Sequence, residues 1–308
     1  MKKIPSKVMN PSSLRWQSVC LILTLGLSLQ ISLARDLSAN TATSSQLGWK
    51  RLSSRDQEFI ILMPGEPTGL IKGHYNLGVD SLPIREERVV SSLYGRTVYL
   101  VKMFETGSAR ELFRTYGDLF NLAKENVSDV KVYGLDGKLY REKKAEALFY
   151  RTLWIATKSR MYVIEVAGRD EDDPNIGRFF SSLNFPKFNT GINSGDTIAN
   201  AGASNKPEVK APEIDDGPPL SESEVTHPAV ILYNPPPSFE HQGKNTEIKL
   251  QVLMSYSGKI TDVKVVARVP GAANEQAVAA AKFLIFLPAE KNGRLVSQYR
   301  VIVYHFIQ

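Results

Sequence analysis

Cysteine is almost missing from this chain: Cys20 is its one thiol among 308 residues, at the start of an apolar run from Val19 to Leu33. If that run is removed, disulfides, thiolate chemistry and cysteine-held metal are excluded together. Lipid attachment would need the cysteine just past the run, not inside it. Histidine is also scarce. None of His74, His227, His241 and His305 has a second histidine at the i+4 spacing that puts two ligands on one helical face, so no zinc site is expected. The acidic run Asp170–Asp173 lacks the spaced acids and turning glycine of a calcium loop, and charge ahead of a helix start accounts for it. There is no nucleophile elbow, phosphate loop or dinucleotide fingerprint. The expectation is no catalytic residue, no metal, no cofactor and no enzyme activity.

A concentrated positive charge is lacking as well. The net charge is +6, but Lys2, Lys3, Lys7 and Arg15 precede the apolar run and leave +2 when they go with it. That excess offers no basic face to a phosphate backbone, so nucleic acid is excluded as a partner. The run is itself short of the ~20 apolar residues that span a membrane. With its basic lead-in and the Ser32-Leu33-Ala34 ending, it reads as a secretory signal peptide, residues 1–34, cleaved after Ala34. The alternative is a short uncleaved anchor, which would be the chain's only membrane contact. The first reading puts the protein in the periplasm or outside the cell, the second in the inner membrane with periplasmic domains.

What is present is ordinary globular sequence: 43% hydrophobic and 23% charged, enough to bury cores. Residues 35–48 read as a disordered spacer and residues 49–188 as an α+β domain, an antiparallel sheet with one or two covering helices. Its strands are expected at Glu58–Pro64, Thr97–Phe104, Ser128–Leu135, Leu139 onward, Ala147–Thr157 and Met161–Ala167. Asp136-Gly137 is the expected hairpin turn. Ser108 and Glu111 have capping-box spacing, and Leu112, Phe113, Tyr116, Leu119, Phe120 and Ala123 then recur on one helical face. Asp173 is placed to cap a second helix opened by Pro174.

Residues 189–227 are rich in Pro, Gly and Ser, with seven acids against Lys206 and Lys210, and predict a flexible tether. Residues 228–308 are compact again. Thr246–Met254 and Lys259–Ala267 alternate around a Ser257-Gly258 turn. Asn274–Leu284 is a helix with Asn274 as its cap, Asn292-Gly293 turns, and Val296–Phe306 is a long last strand, giving β-β-α-β.

Pro236-Pro237-Ser238-Phe239, Gly243, Leu250–Leu253 and Ser257–Val263 resemble the opening of the TonB C-terminal domain family. Ala277–Ala281, Phe286-Leu287-Pro288-Ala289, Lys291-Asn292-Gly293 and Tyr304-His305-Phe306 continue that likeness in order. The sequence departs from the family at Phe239, where tyrosine is common, and at Asn245-Thr246-Glu247, where Gly-x-Val is typical. The resemblance implies a β-β-α-β fold that lends a sheet edge to an extended peptide of an envelope protein, such as an outer-membrane receptor. The expected edge is the last strand, with Tyr299, Val301 and Val303 on one face and Arg300, Ile302 and Tyr304 on the other. Residues 59–64 (Phe-x-x-x-Met-Pro) and 178–185 (Arg-Phe-x-x-Ser-Leu-x-Phe) are similar to domains of exported bacterial proteins without assigned chemistry. Three functions follow as expectations: an exported adaptor protein, a membrane-anchored TonB-type energy transducer, or an enzyme with a site in residues 49–188.

Overall fold

The computed structural model describes residues 48–77, 82–144, 148–188, 212–237, 246–269 and 272–306. The expected signal peptide, most of the spacer, residues 189–211 of the tether and the Phe239 to Gly243 stretch lie outside them. Strand makes up 50% and helix 16%, and the sheets are mostly antiparallel, so the chain is α+β. Residues 39–308 form one unit by their contacts, and within it the body (49–188) and the tail (212–308) touch.

The body begins with the hairpin β1 (Lys50–Ser53) and β2 (Ile60–Met63), followed by β3 (Thr68–Lys72), β4 (Tyr75–Leu77), β5 (Leu82–Ile84), β6 (Glu86–Tyr94) and β7 (Thr97–Glu105). Helix α1 (Ala109–Leu119) leads to β8 (Val127–Val132), β9 (Leu135–Lys143), β10 (Phe149–Ala156), β11 (Arg160–Gly168) and α2 (Pro174–Ser181). Seven strands make one sheet in the order β3-β6-β7-β11-β10-β9-β8. Both of its faces are covered. One packs on α2 and β1–β2 through Tyr99, Val101, Tyr162, Ile164, Phe179 and Phe185. The other packs on α1 and β4–β5 through Phe104, Leu112, Tyr116, Trp154 and Val163. Double covering explains why β7 and β11 are apolar at nearly every position, whereas a half-covered strand alternates.

Asp173 caps α2 as expected, its carboxylate accepting from Asn175 N at 2.9 Å with Pro174 behind it. Ser108 does not cap α1: its side chain makes no cap bond, and its own N–H donates to Thr106 Oγ1 at 3.1 Å. The turn after β8 is Tyr133-Gly134, both at positive φ, and not Asp136-Gly137. Tyr133 tolerates that backbone because its hydroxyl donates to Leu183 O at 2.9 Å and its ring meets Phe185. Gly137 instead lies within β9, where a Cβ would come within 3.1 Å of Val130.

The tail contains β12 (Val230–Tyr233), β13 (Thr246–Met254), β14 (Ile260–Ala267), α3 (Ala273–Ala281), β15 (Ile285–Leu287), β16 (Ala289–Lys291), β17 (Arg294–Val296) and β18 (Gln298–Phe306). Its main sheet is β14-β13-β18, with β12-β15 and β16-β17 as two-stranded sheets. Ile248, Leu250, Val252, Met254, Ile302 and Tyr304 face the small side chains Ala273, Ala277, Ala280 and Ala281 of α3. Asn292 and Gly293 turn β16 into β17 with φ of 52° and 78°, the positive pair a two-residue hairpin turn requires. Two expectations change here. The long last strand is broken at Ser297 into β17 and β18. Asn274 does not cap α3: its amide clasps the preceding loop, accepting from Val269 N at 3.1 Å and donating to Val269 O.

Candidate functional site

The six residues expected at a partner-binding edge lie together on β18. This strand pairs with β13 from Thr246↔Phe306 to Met254↔Gln298, and β13 is central, so β18 is the border of its sheet. Ile302 and Tyr304 are buried against α3, Arg300 is half-buried, and Tyr299, Val301 and Val303 look away from that core, Val301 with 57% of its surface exposed. In an antiparallel strand, alternate residues point both backbone groups to the same side. Tyr299 N donates outward to Leu220 O at 3.1 Å, and Leu220 N donates to Ser297 O at 2.9 Å. By that alternation the N–H and C=O groups of Val301 and Val303 point outward too, where no strand lies among the described residues.

The first part of this border is already taken by the chain itself. Asp215 N donates to Leu295 O at 2.9 Å and Leu295 N to Glu213 O at 3.0 Å, and the bridges Ile214↔Leu295 and Leu220↔Gln298 are parallel. Glu222 then accepts from Arg300 at 2.6 Å, and Glu213 from Arg294 at 3.0 Å. Residues 213–222, expected within the tether, lie against the tail: Ile214 and Leu220 each make a single parallel bridge, with a bend at Gly217-Pro218 between them. Two of the acids that suggested a solvated linker, Glu213 and Glu222, are partners for the tail's own arginines.

The tail is joined to the body by a buried carboxylate. Glu290 has no exposed surface. Arg96 grips it with Nε at 2.9 Å and with Nη2, and Arg169 Nη1 lies 3.4 Å away. Arg169 also donates to Pro288 O at 3.1 Å and to Pro228 O at 2.9 Å. Close by, the Gly258 turn rests on Leu93 so tightly that a Cβ would lie 3.1 Å from its side chain. These residues are far apart in sequence and no local pattern marks them.

A second site was also invisible in the sequence. On the α1 side of the large sheet, five neighbouring strands each place a polar residue on one face in a stepped row: Glu165, Thr152 and Tyr140 stand opposite one another, and Lys102 and then Glu87 are each displaced by two residues along the next strand. All five are buried. Lys102 Nζ is 3.5 Å from Glu165 and lies over the rings of Phe120 (5.6 Å) and Tyr233 (5.7 Å). Burial works against its positive charge, but Glu165, Tyr116 and Glu87 outweigh that and hold its pKa above the ordinary lysine value. Glu87 accepts from Tyr75 at 2.8 Å and from Tyr233 of the tail at 3.3 Å, and Lys72 is 3.8 Å away. Burial pushes the Tyr116 and Tyr150 hydroxyls up to about 12, so both stay protonated donors at neutral pH. The end of this row beyond Lys102 opens into a cleft of about 260 Å³ between α1 and β12.

Among the described residues no group of three or more His, Cys, Asp or Glu is arranged to hold a metal, and no helix is long and apolar enough to cross a membrane. His74 is exposed, and Asp170 and Asp173 spend their carboxylates on backbone N–H groups of their own loop and of α2. Comparison with protein-family models gave no match, and comparison with curated proteins gave none.

Proposed function

We propose that the chain is an exported cell-envelope adaptor. In this reading residues 228–308 are a TonB-like module that takes an extended segment of an envelope partner as an added strand on β18. Residues 49–188 are a globular body that carries this module, joined to it through Glu290, and the whole works in the periplasm after loss of residues 1–34. One observation carries the reading: among the described residues, from Val301 onward β18 has a sheet partner on one side only. Outward N–H and C=O groups are a template for a further strand, with side chains at alternate positions supplying selectivity. The chain's own Leu220 supports it, because it already bridges the start of this border at Gln298, accepting from Tyr299 N and donating to Ser297 O.

The test separates the two sides of one strand. Proline at Val301 removes an outward N–H and leaves the β13 ladder intact. The mature chain should capture an outer-membrane protein from envelope extract, and Val301→Pro should abolish capture with an unchanged melting temperature. Capture that survives Val301→Pro would end the reading. An intact Met1 in the mature protein would favour the anchored transducer instead.

A further inference from the structure

We propose that the cleft beside Lys102 binds a small neutral saccharide, one or two sugar rings in size, at the seam between body and tail. The site is independent of the strand-addition reading. It is built from three parts of the chain that converge. Strands β9, β10, β7 and β11 supply the floor with Tyr140, Thr152, Lys102 and Glu165; the end of α1 supplies Phe120 and Asn121; β12 supplies Ile231 and Leu232 from the tail.

The α1 wall is held open by a specific stop. Leu122 N donates to Gly117 O at 2.8 Å and Asn121 N to Asp118 O at 3.2 Å, with Asn121 at φ 51°. This is the left-handed ending of a helix, and it turns the chain off the sheet after Phe120. Past Phe120 and Tyr233, which lie over Lys102, the part of the floor made by Glu165, Thr152 and Tyr140 borders the cleft. A closed core would not hold such a row, because an ion pair in a dry interior must have its remaining hydrogen-bonding capacity met. Glu87, at the covered end, has that capacity filled by Tyr75, Tyr233 and Lys72. Glu165, at the open end, has Lys102 as its one ion-pair partner among the described residues, at 3.5 Å.

The ligand class follows from the charge and donor balance. Lys102 and Lys144 face Glu165 and Glu142, so the four charges lining the cleft cancel and no ionic ligand is favoured. A zwitterion would have to separate pairs that already exist, Lys102 from Glu165 and Lys144 from Glu142. A hydroxyl both donates and accepts, so a polyhydroxylated ring bonds to both members of each pair without breaking either. Phe120, 41% exposed, and the apolar Ile231 and Leu232 suit its C–H face. The volume is just below that of drug-sized sites, which limits the ligand to a small one.

The experiment is saturation-transfer NMR and calorimetry on the full mature chain. The probes are glucose, N-acetylglucosamine and maltose, against glycine, alanyl-alanine and inorganic phosphate. At least one saccharide should bind. Phe120→Ala and Thr152→Val should each raise its Kd about tenfold, with Lys131→Ala, remote from the cleft, leaving it unchanged. Thr152 is buried and its variant is checked by melting; if it fails to fold, Phe120→Ala decides alone. Binding of none of the three saccharides, binding of glycine, the dipeptide or phosphate in their place, or saccharide binding indifferent to Phe120→Ala would each overturn the proposal.

Discussion

The seven-stranded sheet of the body and the three-stranded sheet of the tail are both antiparallel, yet they treat their surfaces in opposite ways. The large sheet has both faces covered, and its central strands β7 and β11 are buried almost throughout. The small sheet has one face on α3 and the other toward solvent, so β13 and β18 alternate. The difference teaches where each can work. A strand buried on both faces has nothing free but an occasional polar side chain, and the row from Glu87 to Tyr140 is that exception. A strand covered on one face at the border of a sheet can keep its outer backbone groups open, as β18 does beyond Tyr299 among the described residues.

The seam between the two sheets is where the largest change is expected. Glu290→Ala leaves the buried Arg169 and the partly exposed Arg96 without their carboxylate, a loss of about 3 kcal/mol. Denaturant unfolding should show this loss, with the tail melting ahead of the body; a change smaller than ~1 kcal/mol would mean that Glu290 does not hold the seam.

Within the body, Gly168 tests how full a doubly covered sheet is. A Cβ there would come within 2.8 Å of Thr97 Oγ1 and 3.0 Å of Arg96 O. Gly168→Ala should cost about 1–3 kcal/mol by overpacking, read from the same unfolding curves. The tail has no equivalent in the exposed face of β18, where Val301→Ala should leave stability within error.

A smaller effect is expected in acid. Partial burial pushes the Asp56 carboxyl up, but hydrogen bonds from Arg160, Lys187 and Ser54 outweigh it and hold the pKa well below its ordinary value of 3.8. The folded body therefore binds this proton more weakly than the unfolded chain does. The stabilisation is complete above pH ~4 and is lost as pH falls through the lowered pKa. Asp56→Asn should flatten the acid side of the stability curve below pH ~4, and an unchanged acid limb would remove Asp56 as its cause.

At the small end stands Lys131–Asp136, an exposed pair on β8 and β9. Lys131→Ala should not move the melting temperature measurably, since solvent screens such pairs. A clear shift there would show that this surface pair, unlike most, contributes to stability.

Much of the framework was readable because it depends on neighbours in sequence. The alternation of β13 and β18, the Asn292-Gly293 turn, and Asp173 with Pro174 ahead of α2 are all short-range effects, and each has its place in the fold. Where a short-range signal failed, a distant group had the stronger claim. Thr106 took the Ser108 N–H from the helix start, Leu183 and Phe185 secured Tyr133 at a turn that Asp136-Gly137 was expected to make, and Val269 drew Asn274 away from α3. For residues 213–222 the composition argued for a solvated tether, yet Arg294 and Arg300 lie about eighty positions further on.

The sequence alone determined the class of the fold, the periodicity of its strands and the six residues that share β18, because side-chain pattern is set one strand at a time. Only the tertiary structure decided that β18 is a border and not a centre. It alone set Glu290 between two arginines of the body and lined up Lys102 with Glu165 beside a cleft. Those arrangements come from pairing across long stretches of chain, where register and burial are fixed by partners that no local window contains.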